Sequence, residues 1–143
     1  MKVREAGLKD VHCASPMASL SEIATMMKRH NVGVIPICEE RKLIGLLTDR
    51  DLVVSCMAAD MNPGECQARE FMTSAPLSVT LDTDIEEAAW IMGREQIHRL
   101  PVIEAGDLVG MISLGDIATA LFDDDGLVAE TLRKISTPTH QPV

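Results

Sequence analysis

Hydrophobic residues recur at helical spacing in two segments of the chain. The first stripe, at positions i, i+3, i+4 and i+7, consists of Leu20, Ile23, Ala24 and Met27. The second stripe has the same spacing and consists of Ile85, Ala88, Ala89 and Met92. A capping-box pattern begins at Ser19, and an equivalent acidic start begins at Asp84. The patterns predict two amphipathic helices that end near Asn31 and Gln96.

Two short apolar runs follow each predicted helix and are joined by charged turns. The runs cover residues 34–38, 43–47, 99–103 and 108–112. Connections this short predict antiparallel hairpins. Pro36 and Pro101 interrupt the first run of each pair, which indicates an edge strand or a gap in the hydrogen-bond ladder.

Further helices are expected after each hairpin, over residues 49–59 and 114–122. A last helix is indicated by the spacing of Val128, Thr131, Leu132 and Ile135. Residues 136–143 have the composition of a loose tail.

The elements recur because the sequence itself is duplicated. A shift of 65 residues pairs residues 2–52 with 67–117, and the identical pairs include Gly45 with Gly110 and Asp51 with Asp116. Because neither half is large enough to fold comfortably alone, the two copies should share one core and carry two pseudo-symmetric sites. We predict an α/β (α+β) fold of two repeats, each with the order strand, helix, strand, strand, helix. The expected boundaries are 3–59 and 68–122 for the repeats, 60–67 for a linker, and 123–143 for a C-terminal helix and tail.

The composition narrows the class of protein. The chain has 143 residues, of which 46% are hydrophobic and only 2% aromatic, so we expect an aliphatic core with its nine Met residues as gap fillers. The net charge of −9 disfavours nucleic acid and acidic membrane surfaces as partners. The first residues lack the apolar segment of a signal peptide, and no stretch has membrane-spanning length. These features predict a soluble, cytoplasmic protein.

The cysteine and histidine residues do not have the spacing of a metal site. The four Cys residues form no CxxC pair and the four His residues are scattered, so no zinc site is expected. Cys13 and Cys38 fall near the ends of two predicted strands and could come close. Reduced, partly buried thiols are the favoured interpretation, and a disulfide is the alternative.

The candidate sites are two hydroxyl-x-x-Asp steps, each at a predicted transition from strand to helix. Thr48 or Ser113 would add a hydroxyl to the unpaired backbone N–H groups there, which favour an anion. Asp51 or Asp116, one turn later, could accept both hydroxyls of a ribose. The strand glycines three residues before each hydroxyl would let a flat ring approach.

A second interpretation requires no ligand. Thr-x-x-Asp and Ser-x-x-Asp are close relatives of the helix capping box, which would account for both residues of each step. Recurrence with the same upstream Gly and Pro favours the ligand interpretation. The two roles are also compatible, since a phosphate can displace a cap.

The repeated unit with Gly-x-x-Thr/Ser-x-x-Asp resembles a CBS domain, and the tandem pair resembles a Bateman module. The resemblance rests on residues 45–51 and 98–102 and extends over residues 3 to 122. With little chain outside the pair, the protein is similar to standalone CBS proteins of the hypoxic response protein type. The resemblance implies an adenosine ligand such as AMP, ADP or ATP, with NAD and S-adenosylmethionine as further members of the set.

The resemblance also implies roles for particular residues. Asp51 and Asp116 would hold the riboses, and Thr48 and Ser113 the phosphates. Further phosphate contacts would come from His98, Arg99 and Arg50. An apolar slot for adenine would be bounded by Val34, Pro36, Leu100 and Pro101.

The two copies differ at these positions. Gly33 and Val34 stand where the second copy has His98 and Arg99, and Gly115 stands where the first has Arg50. The two sites should therefore differ in phosphate affinity, with occupation of one site alone as one outcome. Solvated surface charges are the alternative interpretation of both arginines.

The predicted function is a non-catalytic energy or stress sensor that forms a homodimer and acts on a protein target. No nucleophile–base pair, metal-ligand spacing or phosphate loop is present in the sequence, so we do not expect an enzyme. The alternative is a ligand-independent dimeric scaffold with vestigial pockets.

Overall fold

The computed structural model describes residues 1–121 and 125–138. The helices are α1 (Leu20–His30), α2 (Asp49–Asp51), α3 (Ala68–Phe71), α4 (Ile85–Glu95), α5 (Leu114–Ala120) and α6 (Asp125–Ser136). The strands are β1 (Val34–Glu39), β2 (Lys42–Thr48), β3 (Thr73–Ser74), β4 (Val79–Thr80), β5 (Arg99–Glu104) and β6 (Asp107–Ser113). These elements form two compact units. Unit 1 contains residues 1–10, 77–105 and those from 109 onward, and unit 2 contains residues 11–76 and 106–108.

In unit 2, the predicted capping box starts α1. The Glu22 backbone N–H donates to the Ser19 hydroxyl and the Ser19 backbone N–H donates to the Glu22 carboxylate, both at 3.1 Å. The helix ends at Asn31, whose left-handed φ of 53° stops it as predicted. The β1–β2 hairpin that follows is antiparallel, also as predicted. Its two turn residues, Glu40 and Arg41, both have positive φ, which matches the twist of the strands.

Unit 1 repeats this plan with one difference at the start of its helix. Asp84 occupies the position before α4, but its side chain caps no backbone N–H. The carboxylate instead accepts from the Lys2 ammonium at 2.7 Å, and this lowers the pKa of Asp84. The side-chain cap predicted at Asp84 is therefore wrong, because an ion pair competes for the same carboxylate. The β5–β6 turn at Ala105 and Gly106 again has two positive φ angles.

Pro101 does not lie in an edge strand. In unit 1, β5 lies between β6 and β4, and it pairs in parallel with β4 through Val102 and Ile103. The paired stretch begins at Val102, immediately after the proline, so Pro101 is left out of the ladder to β4. The alternative prediction, a gap in the ladder, describes Pro101 correctly.

The cores of the two units are aliphatic, as the composition predicts. In unit 1, all four residues of the predicted α4 stripe are buried. In unit 2, Leu20, Ile23 and Met27 are buried, but Ala24 is exposed, so the prediction for Ala24 is wrong. The equivalent Ala89 is covered because α6 packs against α4 in unit 1.

The first segment of each copy belongs to the core of the other unit. Residues 1–10 of the first copy lie in unit 1, where Val3 is fully buried, and residues 68–76 of the second copy lie in unit 2, where Ala68 is fully buried. The strand predicted at the start of the first copy is reduced to a 3-10 helix, Val3–Glu5, and isolated bridges at Lys2, Lys9 and Ala14. Single buried apolar residues such as Val3, rather than a regular strand, therefore hold this segment in place.

The helices after the hairpins have the predicted positions but not the predicted regularity. After α2 the backbone continues as a π-helical segment, Leu52–Cys56, and a 3-10 segment, Met57–Ala59. The end expected for the equivalent helix, Phe122, lies outside the described residues. The predicted last helix is present as α6, although Leu132, one of the residues that indicated it, is 48% exposed. Ser136 is helical, and the tail beyond 138 lies outside the described residues. None of the helices within residues 1–121 and 125–138 combines the length and apolarity needed to cross a membrane.

Candidate functional site

Both hydroxyl-x-x-Asp steps form reciprocal capping boxes. The Thr48 and Ser113 backbone N–H groups donate to Asp51 and Asp116 at 2.8 and 2.9 Å. The Asp51 and Asp116 backbone N–H groups donate in return to the Thr48 and Ser113 hydroxyls at 3.2 and 3.0 Å. The interpretation of these residues as caps is therefore confirmed. Asp116 also carries its second oxygen 3.6 Å from the exposed Lys9 ammonium.

A cavity of about 580 Å³ opens beside the second of these steps, in unit 1. The lining residues are His98, Arg99, Ser113, Leu114, Gly115, Ala118 and Val128. Three of them, His98, Arg99 and Ser113, come from the predicted site and supply an imidazole, a guanidinium and a hydroxyl. Asp116 adjoins the cavity through its hydrogen bonds to Ser113. This combination suits an anionic ligand with further polar groups.

The equivalent position in unit 2 makes the same backbone hydrogen bond but carries different charges. The Asp49 N–H donates to the Gly33 carbonyl at 3.0 Å, as the Leu114 N–H donates to the His98 carbonyl at 2.8 Å. A Cβ on Gly33 would lie 3.0 Å from an Asp49 carboxylate oxygen. Unit 2 thus places a carboxylate where unit 1 has the apolar Leu114. Its predicted cation, Arg50, is exposed on α2.

The residues predicted to bound the adenine slot differ in accessibility. Val34 is half-buried, whereas Pro36 and Pro101 are buried. Leu100 is 1% exposed and belongs to the core cluster of unit 1. Its side chain is therefore a core residue rather than a surface wall.

The strand glycines do not leave open space for a ring. A Cβ on Gly45 would overlap the sulfur of Met72, and a Cβ on Gly110 would lie 3.2 Å from the Leu8 side chain. The glycines instead permit close packing of the chain's own residues against β2 and β6. The expectation that a flat ligand approaches at these positions is corrected accordingly.

The sequence interpretation missed four residues that line the unit 1 cavity: Leu114, Gly115, Ala118 and Val128. The first three follow Ser113 on α5 and could have been found from the helical spacing. Val128 could not, because only tertiary packing brings α6 to this cavity.

The thiols of Cys13 and Cys38 are 3.4 Å apart in unit 2, and both cysteines are free. Burial and the hydrogen bond to Cys13 raise the pKa of Cys38 to about 12. Nearby, the rings of His12 and His30 stack with centroids 3.5 Å apart, and burial is the main cause that lowers the pKa of His30. The part of the chain that the structure describes contains no group of three or more His, Cys, Asp or Glu residues that could hold a metal ion.

Comparison with known proteins agrees with this fold and duplication. The family model of the CBS domain matches residues 3–57 and again residues 68–123. The chain belongs to the CBS domain family. The expected tandem pair is therefore confirmed.

Two curated relatives match most of this CBS pair. A CBS domain-containing protein, YhcV, of Bacillus subtilis is 36% identical over 116 residues, which is 81% of this chain and 82% of the relative. Hypoxic response protein 1 of Mycobacterium tuberculosis is 32% identical over 129 residues, which is 90% of this chain and 89% of the relative. The relatives are themselves about the length of one CBS pair.

Solved structures of similar proteins share the fold. A crystal structure of Hypoxic Response Protein I with two coordinated zinc ions has a TM-score of 0.78 and 32% identity, and the match covers 85% of this chain and 99% of that one. A crystal structure of CBSX2 in complex with AMP has a TM-score of 0.73 at 23% identity, covering 85% and 96% of the two chains. The second likeness shows the fold alone.

Proposed function

We propose that this CBS-pair protein is a non-catalytic regulatory protein that binds an adenosine nucleotide, with AMP, ADP or ATP as the class of ligand. The observation that carries the proposal is the unit 1 cavity, which combines Arg99, His98 and Ser113 beside Asp116. Its volume of about 580 Å³ is within the range of small-molecule sites. CBSX2, which shares the fold, is solved in complex with AMP, and AMP is therefore the first ligand to test.

The proposal assigns each polar group of the cavity a part of the nucleotide. Arg99 would pair with the phosphate, and His98 and Ser113 would donate to it. Asp116 would accept from the ribose hydroxyls by giving up its bond to the Ser113 backbone or its contact with Lys9. The ligand would thus replace contacts that the chain makes with itself.

The same reasoning makes unit 2 the weaker phosphate site. Its Gly33 and Val34 provide no side-chain donor, and the Asp49 carboxylate would repel a phosphate there. Thr48 and Asp51 form the same reciprocal capping box as Ser113 and Asp116, so Asp51 would still be the ribose contact of this site. Arg50 would be the cation available to this site. We therefore expect one tight and one weak nucleotide site in each chain.

The first experiment is isothermal titration of the purified protein with AMP, ADP, ATP, NAD and S-adenosylmethionine. Arg99→Ala should weaken AMP binding about tenfold, because one charge-assisted contact is lost. Adenosine, which lacks the phosphate, should bind Arg99→Ala and the unaltered protein with equal affinity. Arg94→Ala is the matched control, since Arg94 is an exposed unit 1 guanidinium that lies over Trp90. Equal AMP affinity of Arg99→Ala and Arg94→Ala would remove the phosphate role.

The capping boxes favour a second candidate, a dimeric scaffold that needs no ligand. Each Asp and hydroxyl is already satisfied within its own box. The helical run of unit 2, residues 49–59, exposes at least half of three apolar side chains, Val53, Val54 and Met57. Such an apolar surface supports self-association. A stable homodimer with no heat released by any of the five ligands, and no thermal stabilisation, would select the scaffold.

A further inference from the structure

Helix α6 is anchored to unit 1 from its middle to its C-terminal end. Thr131, in the middle of the helix, is 3% exposed. Farther along, a Cβ on Gly93 of α4 would lie 3.2 Å from the Lys134 side chain, so the absence of a side chain there admits α6. The Gln96 side-chain amide, at the end of α4, donates to the Lys134 and Thr137 carbonyls. One residue therefore ties together the C-terminal ends of α4 and α6.

The anchored helix brings one of its side chains to the cavity of unit 1. Val128 lies three residues before Thr131 and therefore on the same face of α6. It lines the cavity together with Gly115 and Ala118 of α5. Both of these α5 residues are small, and a Cβ on Gly115 would meet only the Ser113 hydroxyl oxygen, at 3.6 Å. Space for a ligand thus remains between α5 and Val128.

Unit 2 differs from unit 1 at the corresponding positions. Val53 is equivalent to Ala118 and is exposed, whereas Ala118 is partly buried. Ala24 of α1 is exposed as well, whereas its equivalent Ala89 is covered. The contribution of α6 is therefore specific to unit 1.

We propose that α6 forms one wall of the unit 1 nucleotide site and that Val128 determines which ligand the cavity binds. The inference rests on the function proposed above and adds the segment of chain that would sense the ligand. A ligand that fills the cavity contacts Val128 and so stabilises α6 on α4. Conversely, release of α6 removes one wall of the site. Ligand binding in the cavity and packing of α6 on α4 are therefore thermodynamically coupled, so each favours the other.

The test compares two substitutions at adjacent positions of α6. Val128→Trp should fill the cavity and weaken AMP binding at the tight site by about tenfold or more, as overpacked sites do. Ala129→Trp is the matched control, because Ala129 is exposed on the same helix. Its AMP affinity should stay within about twofold of the unaltered protein. Both variants are titrated as full chains.

Hydrogen exchange of the unaltered protein provides the second measurement. Saturation with AMP should slow exchange of the α6 amide hydrogens. If Val128→Trp does not fold, Gln96→Gly is tested instead. This variant removes the side-chain amide that anchors α6, and glycine suits the φ of 57° at this position. That variant should bind AMP more weakly and lose protection in α6.

The outcomes separate this inference from the proposed function. Tight AMP binding that is equal in the two Trp variants, or α6 exchange unchanged by AMP, overturns the role of α6 and leaves the nucleotide site standing. Absence of nucleotide binding by the unaltered protein overturns both. Weaker binding in Val128→Trp alone, with α6 protected by AMP, establishes the proposal.

Discussion

The side chain of Met72 occupies the space beside Gly45 in unit 2. A Cβ placed on Gly45 would overlap the Met72 sulfur and lie 3.1 Å from the Met72 Cβ. Gly45 pairs with Ser74 of β3, so the methionine is held close to the glycine by the adjoining backbone. The glycine of the repeated motif therefore has a packing role in this copy.

This contact predicts that Gly45→Ala is destabilising. Either Met72 or β3 must move to admit the methyl group, at a cost of about 1–3 kcal/mol in the free energy of unfolding. Gly115→Ala is the control, because its nearest neighbour is the Ser113 hydroxyl oxygen at 3.6 Å. Urea unfolding of the two variants measures the difference. Equal stability of Gly45→Ala and the unaltered protein would contradict the packing role.

The β5–β6 turn offers a stabilising substitution. Ala105 has a φ of 51°, a left-handed conformation that costs Ala more than it costs Asn, whose short polar side chain can hydrogen-bond locally. Because Gly106 follows, Ala105→Asn creates the Asn-Gly pair that favours this turn, and we expect a gain of about 0.5–1 kcal/mol. Thermal unfolding should show a higher midpoint. Ala129→Asn, on an exposed helical position, should have the opposite sign because Asn is a poorer helix former.

Substitutions at Ser113 separate its capping role from its proposed phosphate role. Ser113→Ala loses the hydroxyl that accepts from the Asp116 N–H and should cost about 1 kcal/mol of stability. Ser113→Asp keeps an oxygen that can cap the helix but adds a negative charge to the cavity. Its stability should therefore exceed that of Ser113→Ala while its AMP affinity is the lower of the two. The opposite order of AMP affinities would argue against a phosphate at Ser113.

The thiol pair predicts unequal alkylation. Because the pKa of Cys38 is raised to about 12, this residue is almost wholly a thiol at neutral or mildly alkaline pH, and the thiolate is the reactive form. We expect iodoacetamide to modify the exposed Cys13 well before Cys38, as measured by peptide mass spectrometry. Cys13→Ala removes the hydrogen-bond cause of the raised pKa of Cys38 but leaves the burial. Equal rates at the two residues in the unaltered protein would refute the expected protection.

A homodimer through the helical run of unit 2 predicts that one charge can disrupt it. Val54 is 50% exposed, and Val54→Lys would place an ammonium in the proposed interface. Light scattering should show a lower mass at equal concentration. Thr119→Lys is the control, because Thr119 is the exposed equivalent of Val54 in unit 1. The same dimer mass in both variants would place the interface elsewhere.

The sequence by itself determined most of the local structure and the duplication. Apolar spacing located α1 and α4, and short charged connections located both hairpins, because these features depend on contacts between near neighbours. The capping boxes at Thr48 and Ser113 are local for the same reason. Ser113 as a candidate site residue followed from the repeat, whereas His98 and Arg99 followed from the family resemblance, and the structure places all three at one cavity.

Only the tertiary structure decided which parts of the chain share a core. Because the sequence is duplicated, the segment containing Val3 and the segment containing Ala68 could each pack into either of two similar cores. Each segment is buried in the unit that is formed mainly by the other copy. The occupation of the space beside Gly45 and the arrival of Val128 at the cavity were decided in the same way. These contacts join residues distant in sequence, and their free energy comes from burial and fit rather than from local backbone preference.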